Sequence, residues 1–238
     1  MISLVIPAYN EERALPRLLA TVTEATRAYA GSVETIVADN SSTDGTAGVA
    51  AAWGARVVPV AKRSIAAARN AGAAAARGEI LAFVDADMQI HAGTFGAIDS
   101  AMASDRLVGG ATGVTLERWS LGLAATFAVL LPVVWLTRFD TGVVFCRRRD
   151  FETVGGYDET LRLAEDVSFL MRLRQLGRSR GQRLTRLTKA KAIASTRKFD
   201  EHGDWHYFRI FPPALFKLAL SGRSALRSIE SYWYEPNR

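Results

Sequence analysis

The sequence predicts an α/β fold, a mostly parallel central sheet flanked by helices. Three observations carry this. Short, almost continuous apolar runs alternate with stretches of helical spacing through the first half of the chain. A strand apolar along its whole length is one covered on both faces, as in a parallel sheet. And 238 residues, 49% hydrophobic and 23% charged, make ordinary globular composition with enough chain to bury a sizeable core.

The elements follow in order. Ile2–Ile6 is the first apolar run, broken by Pro7-Ala8-Tyr9-Asn10. Glu11–Tyr29 has Leu15, Leu18, Leu19 and Val22 at helical spacing, with Asn10 the expected cap and Glu11 and Glu12 in the positive first turn. Val33–Ala38 is the second strand, Asp39–Gly45 a polar turn, and a helix is expected from about Thr46. Ala55–Val60 reads as a strand, the alanine-rich Ser64–Arg77 as a helix, and Glu79–Val84 as a strand ending at Asp85-Ala86-Asp87. In the second half, Leu107–Leu116 and Thr141–Arg147 read as strands, Asp150–Val154 as a short helix and Glu165–Leu176 as an amphipathic one. Trp205–Leu220 is aromatic and apolar, a closing helix broken near Pro212-Pro213. No repeat or linker divides the chain, which reads as one domain with a regular half over 1–105 and a less regular half over 106–238.

Composition excludes several classes. The single cysteine, Cys146, forms no internal disulfide and no thiolate zinc site on its own, and it lies in an apolar strand as a small hydrophobe. The formal net charge is +6, and most of the basic residues are arginine, whose fork of donors suits phosphate and carboxylate. No motif with aromatics interleaved on a groove-fitting element supports nucleic acid as the partner. Met1–Pro7 lacks the basic and apolar regions of a secretory leader, so the expected location is cytoplasmic, at or near the inner face of a membrane. Trp119–Thr137 is uncharged and long enough to approach a span, but it holds Pro132 and Gly122 and interrupts one domain; a buried or interfacial helix is the better reading. The run Arg172–Lys198, basic with no acidic residue, is either a solvated face or a surface for phosphate or anionic lipid.

In open α/β sheets ligands bind beyond the carboxyl ends of the strands. The residues found there are Pro7, Tyr9 and Glu11, then Asp39, Asn40, Ser41 and Asp44, then Lys62-Arg63, then Asp85 and Asp87. Two carboxylates one residue apart after a buried strand suit Mg²⁺ or Mn²⁺, hard cations that keep bonds to substrate phosphate. A solvated turn with capping aspartates is the plainer account of such a triplet standing alone.

Five segments, in order and at the usual spacing, resemble the inverting glycosyltransferases of family 2. They are Val5–Glu12, Val37–Thr46, Ala68-Arg69-Asn70-Ala71-Gly72, Phe83-Val84-Asp85-Ala86-Asp87 and Leu163-Ala164-Glu165-Asp166, and the resemblance covers roughly residues 1–178. It implies a GT-A fold, a Rossmann-like domain that binds a nucleotide-diphospho-sugar joined to an acceptor-binding half. It further implies that the Pro7–Glu11 loop, with Tyr9, and Asp39 hold the nucleoside, that Arg69 lies near the nucleotide, that Asp85 and Asp87 bind metal and diphosphate, and that Asp166 of the Glu165-Asp166 pair is the general base. The acceptor is a small molecule or is lipid-linked. Asp39-Asn40-Ser41-Ser42 departs from the common Asp-Asp-Gly-Ser turn, which leaves the base preference open.

Many such enzymes complete the metal shell from the C-terminal part, where His202 and His206 stand near Gly203; His202 is the expected third ligand, and His91 is expected to be exposed. Two alternatives are a nucleotidyltransferase acting on sugar phosphates and a catalytically degenerate nucleotide-sugar or lipid-binding protein. The first lacks a glycine-rich phosphate loop after the first strand, and intact Asp85, Asp87, Glu165 and Asp166 argue against the second.

Overall fold

The computed structural model describes residues 1–125, 142–161, 164–197 and Gly203. Seven strands form one sheet: β1 (Ile2–Ala8), β2 (Val33–Asp39), β3 (Arg56–Pro59), β4 (Ile80–Phe83), β5 (Leu107–Leu116), β6 (Val144–Arg147) and β7 (Arg183–Ala194). Their order is β3-β2-β1-β4-β6-β5-β7. β1 pairs in parallel with β2 and β4, β2 with β3, and β5 with β7, whereas β6 runs antiparallel to both β4 and β5. One reversed strand in an otherwise parallel sheet is the mostly parallel architecture the apolar runs predict.

The helices are α1 (Leu15–Ala28), α2 (Thr46–Ala52), α3 (Ile65–Ala75), α4 (Thr94–Met102), α5 (Arg148–Thr153) and α6 (Glu165–Ser179). Successive strand side chains alternate between faces, so β1 feeds two cores. Ile2, Leu4, Ile6 and Ala8 pack with Leu15 and Leu18 of α1, Ala50 of α2 and Phe95 and Ile98 of α4. Val5, with Leu81 and Phe83 of β4, packs with α3, Phe151 of α5 and Phe169 of α6. α3 presses hard on the sheet, for a Cβ on Gly72 would stand 2.3 Å from Val5 Cγ1. Phe83, Phe151, Tyr157 and Phe169 form an aromatic cluster in the second core, with Tyr157 stacked on Phe169 at 4.5 Å between centroids.

Two expectations are corrected. α1 starts at Leu15, not Glu11, with Pro16 in its first turn and no acidic residue there. Asn10 does not cap it; its Oδ1 instead accepts from the backbone N–H of Thr43 at 2.8 Å. And the basic run holds β7, an edge strand on β5, where the sequence suggested only a charged face. Three extra residues of β7 are accommodated between the Thr112–Leu187 and Val114–Ala192 pairs, and Lys189 and Lys191 are exposed there. Exposed lysines on an edge strand also disfavour pairing with another sheet.

The chain divides into two compact units, Met1–Glu117 with Thr137–Ser195 and Arg118–Leu136 with Thr196–Arg238. The first carries the whole sheet. In the second, Leu121–Ala125 is helical and Trp119 and Leu121 are exposed, at 57% and 86%. Most of Trp119–Thr137, and all of Trp205–Leu220, lie outside the described residues. Among the described residues, no helix is long and apolar enough to cross a membrane.

Candidate active site

The carboxyl ends of β1 to β4 meet along one edge, since Ala8 pairs with Asp39, Asp39 with Pro59, and Val5 with Phe83. The loops after β1 and β2 are stitched together there. Asn10 N–H donates to Ser42 Oγ at 3.0 Å, Glu11 N–H to Thr46 Oγ1 at 2.8 Å, and Gly45 N–H to Glu12 Oε2 at 2.7 Å. Asn10 and Ser41 both adopt positive φ, 54° and 60°. These left-handed turns are uncommon for residues other than glycine, and the cross-loop bonds hold them. Pro7 is buried in β1, while Tyr9, Glu11 and Asp39 are half-buried at the edge. Asp39 Oδ1 accepts from Ser42 N–H at 3.2 Å. The Arg63 guanidinium, from the loop after β3, lies 4.2 Å from the centre of the Tyr9 ring.

The centre of the site is Arg69 on α3, 4% exposed. Its NH1 donates to Glu165 Oε1 at 2.9 Å and to Asp166 Oδ1 at 2.6 Å, and its NH2 to Asp85 Oδ1 at 2.7 Å. The guanidinium also stands 5.0 Å from the centre of the Tyr157 ring. α6 begins at Glu165 because Ala164 takes a left-handed turn, φ 58°, and two acids in the first turn suit the helix's positive end. That turn delivers Glu165, buried, and Asp166, with 20% of its side chain exposed, to the Arg69 fork.

The electrostatics follow from one cation among three acids. Burial opposes the charge on Arg69, but Asp166 and Asp85 outweigh it and hold the guanidinium protonated well beyond its ordinary range. For Asp166, burial is the largest influence and raises its pKa; Arg69 pulls down, Asp85 and Glu165 push up, and the carboxyl settles at about 7. Such a group becomes ionised as pH rises through neutrality, and as the carboxylate it can take a proton.

Of the predicted residues, the structure gathers Arg69, Asp85, Glu165 and Asp166 into one hydrogen-bonded cluster and sets Pro7, Tyr9, Glu11 and Asp39 along the neighbouring strand ends. Arg69 thus joins the acids of β4 and α6, where the family resemblance implied a place beside the nucleotide. Asp87 is half-buried two residues beyond Asp85. Gln89 pairs with Ile193 of β7 and Ile90 N–H donates to Thr21 Oγ1, so the turn after β4 is anchored on both sides. Asp85, its side chain 41% exposed, and Asp87 offer oxygen donors that fit a hard divalent cation. Among the described residues no group of three acids, histidines or cysteines is placed to hold a metal ion, so a cation at Asp85 and Asp87 would take its other ligands from phosphate, water or residues outside those described. His202 and His206 lie outside the described residues; His91 is exposed.

Sequence reasoning missed Asn70. Its side chain accepts from Tyr157 N–H at 2.8 Å and donates to Tyr157 O at 2.9 Å and Glu159 Oε1 at 3.0 Å. The only signal was its place in the Ala68–Gly72 motif. Lys62, noted at a strand end, donates to Glu159 Oε2 at 2.7 Å.

The family described as Glycosyl transferase family 2 matches over residues 3–128. An uncharacterised glycosyltransferase of Mycobacterium tuberculosis is 41% identical over 92 residues, 39% of each chain. The undecaprenyl-phosphate 4-deoxy-4-formamido-L-arabinose transferase of Aeromonas hydrophila is 38% identical over 96 residues, 37% of this chain and 29% of the relative. The matches thus span well under half of these relatives' own lengths. Among solved structures, the mannosyltransferase of Pyrobaculum calidifontis in complex with GDP-Man and Mn²⁺ superposes with a TM-score of 0.67 at 21% identity, covering 88% of this chain and 59% of that one. The fold is GT-A.

Proposed function

Because the chain belongs to glycosyl transferase family 2, we propose that it moves a sugar from a nucleotide-diphospho-sugar to an acceptor hydroxyl or phosphate, with inversion and with a divalent cation. The observation that carries this reading is the Arg69 cluster, which brings Asp166 and Asp85 to one guanidinium from elements far apart in the chain.

In this reading the acceptor O–H attacks the anomeric carbon as its bond to the diphosphate oxygen breaks. The proton goes to the Asp166 carboxylate and the nucleoside diphosphate leaves. One displacement inverts the centre, so a single base carboxylate suffices. Glu165 and Arg69 orient Asp166, and burial gives it the basicity the step needs. Tyr9, Glu11 and Asp39, on loops held by their mutual hydrogen bonds, take the nucleoside, with Pro7 fixing the strand end beneath them. Asp87, with Asp85, holds Mg²⁺ or Mn²⁺; when bound, the ion offsets charge on the departing diphosphate. Residues 1–105 then serve the donor and 106–238 the acceptor.

A lipid-linked acceptor, met at the inner face of a membrane, is favoured by three observations. A relative is named for undecaprenyl phosphate, Trp119 and Leu121 are exposed, and lysines line β7. Exposed bulky apolar side chains, and separately exposed basic ones, are each the residue types a peripheral contact with lipid uses. The test of the reading is thermal unfolding with UDP, GDP, CDP and dTDP, each with and without Mn²⁺. Ligand at 100 times its Kd stabilises by about 2.7 kcal/mol, so one nucleotide should raise the melting temperature, and only with metal. No response to any of the four would overturn it.

A further inference from the structure

We infer that Asn70 is a positioning residue: it fixes the Tyr157 peptide and, through the Tyr157 ring, sets the start of α6 on which Asp166 stands. The inference rests on the reading of Asp166 as the base. Asn70 meets the N–H and the C=O of Tyr157 with its own amide, at 2.8 and 2.9 Å. This pairing is that of two strands, made by one side chain. A third bond, to Glu159 at 3.0 Å, ties down the next residues, and Lys62 holds the other oxygen of that carboxylate. The approach is close enough to require glycine beforehand. Gly156 has φ 67°, and a Cβ there would stand 2.7 Å from Asn70 Oδ1.

Tyr157 carries the constraint onward. Its ring is buried, stacks on Phe169 of α6 at 4.5 Å, and lies against the Arg69 guanidinium at 5.0 Å. Phe169 and Asp166 are three residues apart on one helix and so share a face. The result is a closed circuit. Asn70 holds Tyr157, Tyr157 abuts α6 and Arg69, Arg69 holds Asp166, and Arg69 and Asn70 are neighbours on α3. A misplacement of about 1 Å in a reacting group costs on the order of 100-fold in rate, which gives such a circuit a purpose beyond packing. None of its bonds involves the loops after β1 and β2.

The experiment compares the full chain with Asn70→Ala, and with Asn70→Asp, which keeps the acceptor for Tyr157 N–H but loses both donations and serves if the alanine variant fails to fold. Amide hydrogen exchange is expected to quicken at least ten-fold at Tyr157 and at Ser168–Leu170. The Kd for UDP or GDP with Mn²⁺ should stay within about three-fold. With UDP-glucose or GDP-mannose as donor, kcat should fall ten-fold or more while the donor KM stays within about two-fold. Faster exchange confined to Tyr157, or nucleotide affinity lost in parallel with kcat, overturns the inference. A wild-type chain that binds no nucleotide overturns the proposed function instead, and the exchange result still decides whether Asn70 sets α6.

Discussion

The guanidinium of Arg69 lies 2.6 Å from the carboxylate of Asp166, a residue 97 positions further along the chain. The same side chain reaches Asp85 at 2.7 Å and Glu165 at 2.9 Å. One positive charge among three acids leaves the cluster with excess negative charge. Burial first, and that excess second, raise the proton affinity of Asp166; the excess also favours a cation beside Asp85.

Replacing Arg69 with Met should destabilise the fold by about 3 kcal/mol, because removing one partner of a buried ion pair leaves the others uncompensated. Partial exposure of Asp85 and Asp166 keeps the loss at the lower end of that range. Arg69→Lys keeps the charge but not the fork, and should fall between the two. Urea unfolding at pH 7.5 measures this; a Met variant as stable as the wild type would show that the acids do not depend on the guanidinium.

As the proposed base, Asp166 should set a pH dependence in both rate and stability. Transfer should rise with pH through about 7 as the carboxylate ionises. Asp166→Asn should lower kcat by 100-fold or more and leave nucleotide binding intact. The stability effect has the opposite slope. A carboxyl whose folded pKa lies above its unfolded value of about 3.9 binds protons preferentially in the folded state, so its contribution is full below pH 4 and fades as pH rises through about 7. The difference in stability between wild type and Asp166→Asn should therefore shift in that window, and a flat difference would remove the assignment.

Asp87→Ala should abolish the Mn²⁺-dependent part of nucleotide stabilisation. Calorimetric titration of UDP and GDP with Mn²⁺ reads this directly. Unchanged affinity would place the cation elsewhere.

Gly72→Ala tests how α3 is seated. Alanine favours a helix interior by about 1 kcal/mol over glycine, but its methyl would overlap the buried Val5 side chain, and overpacking costs about 1–3 kcal/mol. A net loss of stability of about 1 kcal/mol, with a fall in kcat as Arg69 moves, is expected. An alanine variant more stable than wild type would mean that α3 can stand off the sheet.

Strand ends were the legible part of this sequence. β1, β4 and the Ile36–Ala38 stretch of β2 are buried and followed by polar turns, so both their positions and the edge at which they converge follow from residue type alone. β7 was hidden because an edge strand needs few apolar residues. Leu184, Ala190 and Ala192 are buried in it, but the exposed Lys189 and Lys191 between them read as a charged run. Asn10 looked like a cap because asparagine before a helical pattern usually is one; its partner, Thr43, belongs to another loop, and local sequence carries no trace of such a pairing. Arg69 could be named from its motif, yet its burial depends on where the start of α6 brings Glu165 and Asp166, a tertiary fact. Asn70 gave even less, since a side chain that binds a distant backbone leaves no pattern in its own neighbourhood.

The proposed chemistry lies at the carboxyl ends of the strands, while the turns that lead into β3 and β7 lie at the opposite rim. Gly54 and Gly181 mark these turns, each with positive φ and open space around a would-be Cβ. A spectroscopic label or an inserted peptide at either turn should therefore leave substrate handling alone. The molecule offers an engineer one rim to remodel for specificity and another to decorate freely.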